Sequence, residues 1–339
     1  MEILRSVLRE LPEFQQLLAA LDSGQSPAAV SGLAAVHRAH FAACLGQESG
    51  RPVVVVCADE GEAERMARDL SFLTGGEVPV LAARSFLFHN IATVSRQWEH
   101  RRLRLLYRLT RGEVPCLVAT VEALLQRTLP PEALERACAA LAVGQTADLE
   151  ELTAHLTEAG YVRCEQVEGP GQFALRGGIL DVYSPAMEAP VRAEFFGDEV
   201  DRISEINAVS GIAERYVDHV AIYPASHYVA SKEKLQWAMV EIQRECDDQV
   251  AFFRAHDKLI EAQRIAQRTA YDLEMLTEIG FCNGIENYSR VIQGRAPGTP
   301  PTTLLDYFPK DYLMFIDESH VTLPQVRAMY NGDRARKTT

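Results

Sequence analysis

The sequence predicts an α/β fold: a parallel-sheet domain, a small inserted α+β domain, and a mostly helical domain. Three observations lead to this prediction. Short apolar segments alternate with amphipathic helices in the first third of the chain, glycine-separated strands follow over residues 150–200, and a long helical period fills residues 231–278. Strands that alternate with helices at short spacing are typical of a parallel sheet.

The predicted parallel sheet begins at residues 52–57, where a run of valines is typical of a strand buried on both faces. A helix is predicted over residues 60–73. Residues 78–81 and 116–120 are the next predicted strands, and a helix over 121–127 follows the last of them. We expect this part of the chain to form one sheet covered by helices.

The small domain is predicted after Pro130 and Pro131, which interrupt the preceding pattern. A helix over residues 149–159 ends at Gly160, a residue suited to a helix C-cap. The segments after it predict an antiparallel sheet with one helix. Its four strands are expected at residues 161–167, 172–176, 178–183 and 191–196.

The helical domain is predicted from Ser231, which can cap a helix, to Gly280, which can end one. Two helices interrupted near His256 and Asp257 fit its apolar period. Asn283-Gly284 and Asn331-Gly332 are interpreted as turns. The predicted domains are therefore residues 1–128 with 301–339, residues 129–208, and residues 209–300.

Composition narrows the functional classes. The formal net charge of −13 disfavours non-specific DNA binding. Arginines between residues 96 and 111, and basic residues 334–337, allow weak or accessory DNA contact, although a solvated helix face is the simpler interpretation. Seven scattered cysteines without a Cys-x-x-Cys pair favour reduced thiols in a cytoplasmic protein and disfavour a structural zinc site. No apolar run is long enough to cross a bilayer, and no secretory signal is visible.

Residues 313–318 combine an apolar run with two terminal carboxylates, Asp317 and Glu318. A buried parallel strand would deliver them to the edge where α/β sheets bind ligands. There an Asp can hold Mg²⁺ and a Glu can orient an attacking water. However, the sequence contains no Gly-Lys dipeptide, so the loop that grips nucleotide phosphates is missing. Asp317 and Glu318 are therefore interpreted as the retained end of a strand.

Three stretches resemble the bacterial UvrB family, the damage-verifying subunit of the nucleotide excision repair nuclease: residues 217–229, 271–290 and 303–337. Residues 171–198, GQFALRGGILDVYSPAMEAPVRAEFFGD, resemble the domain that UvrB shares with the transcription-repair coupling factor, Mfd. Residues 1–200 are more similar to the coupling factor, and residues 200–339 to UvrB. The resemblance implies a RecA-like first domain, similar to P-loop NTPases but degenerate.

The resemblance also implies UvrA as the partner of the small domain. The residues that match the UvrA-contacting positions of UvrB are Arg163, Arg176, Arg192, Glu194 and Phe195. One further family arginine is replaced by Ala174. Arginine suits such a role because its rigid fork pairs with carboxylates. The alternative is that these are ordinary surface charges, with Phe195 or Phe196 filling the core of the small domain.

Departures from the family predict that this chain has no ATPase of its own and needs no cofactor or metal. Residues 29–37 lack the P-loop lysine and the Mg²⁺-binding hydroxyl. Residues 85–100, where UvrB has a tyrosine-rich hairpin, contain no tyrosine. No counterpart of the second motor domain, with its arginine finger, is expected within residues 1–339. RNA polymerase would be a partner only through regions outside these residues.

Three functions therefore remain open. The first is a UvrA-binding module of nucleotide excision repair without ATPase activity. The second is the front part of an ATP-dependent repair helicase of the UvrB or Mfd type, which would use ATP and Mg²⁺ when complete. The third is a regulatory clamp, in which the small domain is masked by further domains. Saturable ATP binding would separate the second function from the first.

Overall fold

The computed structural model describes residues 7–81, 83, 97–185, 187–225, 232–279, 282 and 285–338. The chain divides into two compact units, which we describe separately. The first unit comprises Met1–Trp98, Arg104–Gln126 and Thr303–Thr339, and the second comprises Glu99–Leu103 and Arg127–Thr302. Over the described residues, no helix combines the length and the apolar character needed to cross a membrane.

The predicted mixed α/β fold with a parallel sheet is confirmed. The parallel sheet belongs to the first unit, together with most of its surrounding helices. The helices are α1 (Pro12–Asp22), α2 (Ala35–Ser49), α3 (Glu60–Thr74), α5 (Val121–Leu125) and α11 (Ser319–Thr338), with a 3-10 helix at Leu304–Tyr307. Helix α4 (Gln97–Thr110) has residues in both units. The strands are β1 (Val53–Cys57), β2 (Val80–Leu81), β3 (Cys116–Thr120) and β12 (Leu313–Ile316).

The parallel sheet has the strand order β12-β1-β3-β2. Val53 pairs with Leu313 on one side and with Cys116 on the other. Every residue of β1 and β3 is buried, as the run of valines in β1 predicts. Because β12 runs parallel to β1, the residues that follow these two strands meet at one edge of the sheet.

Helices α2 and α3 pack on this sheet. Asp59 is the N-cap of helix α3, and its Oδ1 accepts a hydrogen bond from the Glu62 backbone N–H at 2.8 Å. Its buried residues recur at helical spacing: Ala63, Met66, Ala67 and Leu70. Helix α2 approaches β1 closely, since a Cβ at Gly46 would clash with the Val53 side chain. The C-terminal part of α2 is thereby held near the sheet.

The second unit contains a small mixed domain and a helical part. Its helices are α6 (Pro131–Ala137), α7 (Leu149–Glu158), α8 (Lys232–Ala255), α9 (Leu259–Ile279) and α10 (Ser289–Ile292), with a 3-10 helix at Ile285–Tyr288. Its strands are β4 (Ala139–Ala142), β5 (Val162–Arg163), β6 (Gln172–Arg176), β7 (Ile179–Tyr183), β8 (Val191–Phe196), β9 (Glu199–Ile206), β10 (Ala213–Tyr216) and β11 (His219–Ile222).

The small domain is built on a six-stranded sheet of order β10-β9-β8-β7-β6-β5, with β11 and β4 forming a separate pair. Strands β6 to β8 are antiparallel, as expected, and β9 and β10, which were not predicted, continue this arrangement. Strand β5, in contrast, runs parallel to β6. The reason is the loop between β5 and β6, where the Gln172 side chain accepts hydrogen bonds from the backbone N–H groups of Glu168 and Gly169. This loop returns the chain before β6 begins.

The sheet continues past residue 208, where a boundary was predicted. Strand β10 pairs with β9, and β11 pairs with β4, so residues 213–222 join strands that precede the predicted boundary. The two-helix prediction is confirmed: α8 ends at Ala255, Asp257 has φ of 58°, and α9 begins at Leu259. Ser231, Gly280 and Asn283-Gly284 lie outside the described residues.

The turn predicted at Asn331-Gly332 is wrong, because both residues lie inside helix α11. Asn-Gly favours a turn only where the chain reverses between strands. Here the segment continues a helix that begins at Ser319 and contains Pro324. The helix formed by the surrounding residues therefore overrides the local preference of Asn-Gly for a turn.

Candidate functional site

The six-stranded sheet has a core face and an outer face. Core-facing side chains include Phe173, Leu180, Ala193 and Ile203, which are all buried. Their neighbours along each strand point the other way, because side chains alternate. We define the outer face by the residues that pair across β6 to β9 in two rows: Ala174, Asp181, Arg192 and Ser204, then Arg176, Ile179, Glu194 and Arg202.

Three of the five residues predicted by resemblance lie together on the outer face: Arg176, Arg192 and Glu194. The other two do not. Arg163 on β5 pairs with core-facing Phe173 and lines a groove of about 450 Å³ beside α7. Phe195 packs against the core of the small domain. The alternation of side chains along a strand predicts that Arg192, Glu194 and Phe196 share one face of β8 and Phe195 lies on the other, as the structure shows.

Asp181 organises the outer face, although it was not among the site residues predicted from the sequence. This side chain is almost fully buried, with 3% of it exposed. Its Oδ2 accepts a hydrogen bond from Arg176 Nη2 at 2.6 Å, and its two oxygens accept from Arg192 Nε and Nη2 at 2.7 and 2.8 Å. A lone charged residue inside the apolar strand ILDVY was the signal that could have revealed it.

The two arginines bound to Asp181 differ in how much donor capacity they retain. Arg192 is bidentate on Asp181, donates also to the Gly211 carbonyl at 3.0 Å, and is 20% exposed. The hydrogen bond to Asp181 raises the pKa of the Arg192 guanidinium. Arg176 makes one hydrogen bond to Asp181 and is 50% exposed. Arg176 is therefore the member that can still bind an external carboxylate.

The outer face also carries exposed aromatic side chains. Phe196 is 86% exposed, and Tyr216 on β10 is 64% exposed. The Arg202 guanidinium lies over the Tyr216 ring, 5.6 Å from its centroid. Aromatic side chains beside arginines are the composition that protein interfaces favour.

The position of Phe196 at the end of β8 depends on the β6–β7 turn and on the β8–β9 connection. The β6–β7 turn is Gly177-Gly178, and a Cβ at Gly178 would lie 2.8 Å from the Phe195 carbonyl oxygen. The Phe195 N–H donates to the Gly178 carbonyl at 2.8 Å. The β8–β9 register shifts between Glu194 and Phe195, which is a bulge. Glycine at position 178 therefore allows the end of β8 to approach the turn.

The second candidate site is the edge where β1 and β12 end. Asp317 and Glu318 follow β12, and Arg38 reaches them from the first turns of α2. Arg38 Nη1 donates to Asp317 Oδ1 at 2.8 Å and to Glu318 Oε1 at 2.5 Å. The Asp317 side chain is 8% exposed and that of Glu318 is 43% exposed. His320 Nδ1 lies 3.2 Å from the other Glu318 oxygen.

Cys57, the last residue of β1, lies at the same edge. Burial, and after it the charge of Asp317, raise the pKa of the Cys57 thiol to about 12. The thiol therefore stays protonated at neutral pH and is a poor nucleophile. We assign it a packing role.

The carboxylates at this edge already have a cationic partner. Asp317 and Glu318, the two that could face a magnesium ion, both accept hydrogen bonds from Arg38. The exposed loop at residues 25–34 has no regular structure, and Ala34 caps α2 without a side-chain hydrogen bond. Among the described residues, no group of three or more His, Cys, Asp or Glu side chains could hold a metal ion.

Two family models match the second unit. The model of the UvrB interaction domain matches residues 139–228, which include the outer face, and the model of the UvrB third helical domain matches residues 233–294. The first match extends past residue 208, as the pairing of β10 and β11 does.

Curated relatives agree with these matches. The chain is 49% identical over 224 residues to the UvrABC system protein B of Caldicellulosiruptor bescii, covering 66% of this chain and 34% of the relative. It is 51% identical over 212 residues to that of Clostridium perfringens, covering 62% and 32%. It is 42% identical over 249 residues to that of Agathobacter rectalis, covering 73% and 38%.

The chain thus spans about a third of the length of the curated relatives it matches. The matched regions contain the outer face and the helical hairpin of the second unit. Closer similarity of residues 1–200 to the coupling factor stays a prediction. Residues 139–228 of this chain thus match the interaction domain of the UvrB family, and residues 233–294 match its third helical domain.

Proposed function

We propose that this chain is a binding module of nucleotide excision repair that docks onto UvrA through the outer face of its small domain. In this role it recruits or hands over the damage-recognition complex. The chain contributes no ATPase activity of its own. Lesion recognition comes with UvrA, and DNA contact by this chain is weak and accessory, in keeping with a net charge of −13.

One observation carries the proposal: the half-exposed Arg176 held on buried Asp181 within a UvrB interaction domain. Asp181 fixes the guanidinium in one orientation, so little side-chain entropy remains to be lost on binding. The remaining N–H donors of Arg176 can pair with a partner carboxylate in fork geometry. Glu194, which lies in the same row with Ile179 between it and Arg176, supplies a complementary charge, and exposed Phe196 supplies an apolar anchor.

The proposed lack of ATPase activity is supported by the carboxylate edge. We propose that the first unit is a degenerate RecA-like domain, in which β12 lies beside β1 with its two carboxylates at the ligand-binding edge. Arg38 binds both carboxylates, and no lysine lies in residues 29–37. The alternative of an ATP-dependent helicase draws on Asp317 and Glu318 alone, and it requires a saturable ATP site.

The docking test compares two arginines of the same sheet. Purified chain is titrated against UvrA by calorimetry as wild type, Arg176→Ala and Arg215→Ala. Arg215 is 68% exposed and pairs with Glu205 on the opposite face, which makes it a matched control. We expect Arg176→Ala to weaken binding by about 30-fold, the loss typical of an interface hot spot. Arg215→Ala should leave the affinity unchanged.

Equal affinities of the two variants would reject the outer face as the docking surface. Arg163→Ala adds a second measurement, because Arg163 lies on the other side of the sheet, on edge strand β5. A partner that contacts both Arg163 and Arg176 must reach around this edge. Weaker binding of the Arg163 variant would extend the docking surface to the groove beside α7.

The ATPase alternative is tested separately. Magnesium ATP is titrated into the wild-type chain, and the proposal predicts no saturable binding. A saturable heat that disappears in Asp317→Asn would instead favour the helicase alternative. RNA polymerase binding is not expected from these residues.

A further inference from the structure

The link between Arg38 and the Asp317–Glu318 pair joins two distant parts of the chain. Arg38 belongs to α2, whereas the carboxylates follow β12, and a single guanidinium nitrogen donates to both of them. The Asp317 backbone N–H also donates to the Val56 carbonyl at 2.9 Å, which fixes the carboxylate beside β1. One side chain, Arg38, thus links helix α2 to the end of β12, the strand that pairs with β1.

Two adjacent carboxylates at a sheet edge need a positive counter-charge. Asp317 is nearly buried, so its ionised form is costly unless a cation neutralises it. Glu318 adds a second negative charge and has φ of 43°, a left-handed conformation that directs its side chain to the same guanidinium. In nucleotide-binding sheets a hydrated divalent cation commonly supplies this charge.

Both carboxylates already accept hydrogen bonds from Arg38, so such a cation would find no free pair of carboxylates here. A cation that replaced Arg38 would have to displace a guanidinium that is 25% exposed and hydrogen-bonded to both carboxylates. It would also leave the arginine stem and its charge in a largely buried position. The Arg38 guanidinium and a divalent cation would therefore compete for the position beside the Asp317 and Glu318 carboxylates.

We propose that Arg38 is the built-in counter-cation of Asp317 and Glu318, holding α2 against β12 and excluding divalent cations from these carboxylates. The first unit then keeps its arrangement without any nucleotide. This inference goes beyond docking onto UvrA and concerns a different unit of the chain. Its test uses unfolding and cation uptake, so its failure would leave the docking proposal unaffected.

The first measurement is a double-mutant cycle by thermal unfolding of the full chain. Arg38→Met removes the charge and keeps an apolar stem, Asp317→Asn keeps the shape of the carboxylate, and the third variant combines them. We expect each single variant to lower the midpoint by on the order of 5 °C, and the double variant to lower it little further. Additive shifts, or no shift in Arg38→Met, would overturn the proposal.

Arg51→Met is the matched control for folding. Arg51 is 18% exposed and bonds Asp22 and Asp311, which are 61% and 75% exposed. Because its partners are solvated, we expect a smaller shift in midpoint than for Arg38→Met. A loss as large as that of Arg38→Met would mean that any arginine of this unit has the same effect.

The second measurement follows Mn²⁺ binding by electron paramagnetic resonance, with MnCl₂ at millimolar concentration as the probe. Wild type should show no uptake that depends on Asp317. Arg38→Met should gain one weak site, and the combined Arg38→Met and Asp317→Asn variant should lose it. Asp317-dependent uptake by wild type would overturn the exclusion of cations, and so would an Arg38→Met variant without any new uptake.

Discussion

The Asp181 site and the Asp317–Glu318 site both pair carboxylates with arginine, but they differ in how many arginines serve each carboxylate. In the second unit, buried Asp181 binds two arginines, and one of them keeps half of its side chain in solvent. In the first unit, Arg38 serves two carboxylates and is 25% exposed. One site has an excess of arginine and can bind a further acidic group, whereas the other has an excess of carboxylate and is closed by its single arginine.

The ratio of arginines to carboxylates, together with exposure, separates the proposed docking surface from the proposed structural link. In the proposed complex, a partner would add a carboxylate to the Asp181 site without disturbing the bidentate hydrogen bonds of Arg192. At the Asp317 site any ligand must first displace Arg38. Substitutions that alter this ratio should therefore have different consequences in the two units.

The largest effect is expected from Asp181→Asn. Removing the buried charge leaves Arg192 without its bidentate partner, and this should lower the free energy of unfolding of the second unit by about 3 kcal/mol. UvrA binding should weaken as well, because Arg176 loses its fixed orientation. Urea unfolding monitored by circular dichroism measures the loss. A change below about 1 kcal/mol would show that Asp181 does not organise this face.

Phe195→Ala should come next, with a loss of about 2 kcal/mol in the free energy of unfolding, because Phe195 packs on the core of the small domain but is partly buried. The same urea experiment measures this loss. Stability equal to wild type would mean that Phe195 belongs to the docking surface, as the resemblance alone predicted.

Phe196→Ala should leave stability unchanged, because its side chain is 86% exposed. We expect it to weaken UvrA binding by about tenfold, since exposed aromatics often anchor interfaces. Calorimetric titration of UvrA into the Phe195 and Phe196 variants compares the effect of a core residue and of a surface residue on affinity. Unchanged affinity in Phe196→Ala would remove this aromatic from the proposed interface.

The smallest effect concerns alkaline pH. The pKa of the Cys57 thiol is raised to about 12 from a usual value near 9.0, so the folded chain holds this proton more tightly than the unfolded chain. The resulting stabilisation is complete below pH 9 and is lost as pH rises toward 12. Between pH 9 and 10, wild type should lose about 1 kcal/mol more than Cys57→Ala. Parallel pH curves for the two proteins would contradict this.

The sequence predicted the elements whose signals are local. The valine run of β1, the helix predicted from residue 60, and the break near Asp257 each depend on neighbouring residues. Alternation also placed Arg192, Glu194 and Phe196 on one face of β8, as the structure shows. These features follow from periods of two and 3.6 residues.

Features that depend on pairing between distant residues could not be predicted in this way. Neither the link from Arg38 to Asp317 nor the sharing of Asp181 by two arginines leaves a local pattern. Strand β5 is too short for its direction to be read from alternation. The resemblance grouped Arg163 with Arg176, although their strands direct them to opposite faces of the sheet.

The most direct test of the central claim is a hydrogen–deuterium exchange footprint of the chain with and without UvrA. We predict slower exchange in the two turns at the edge of the outer face, residues 176–179 and 196–199, with no change at residues 313–320. Protection confined to residues 313–320, with both turns exchanging as in the free chain, would contradict the proposed docking surface.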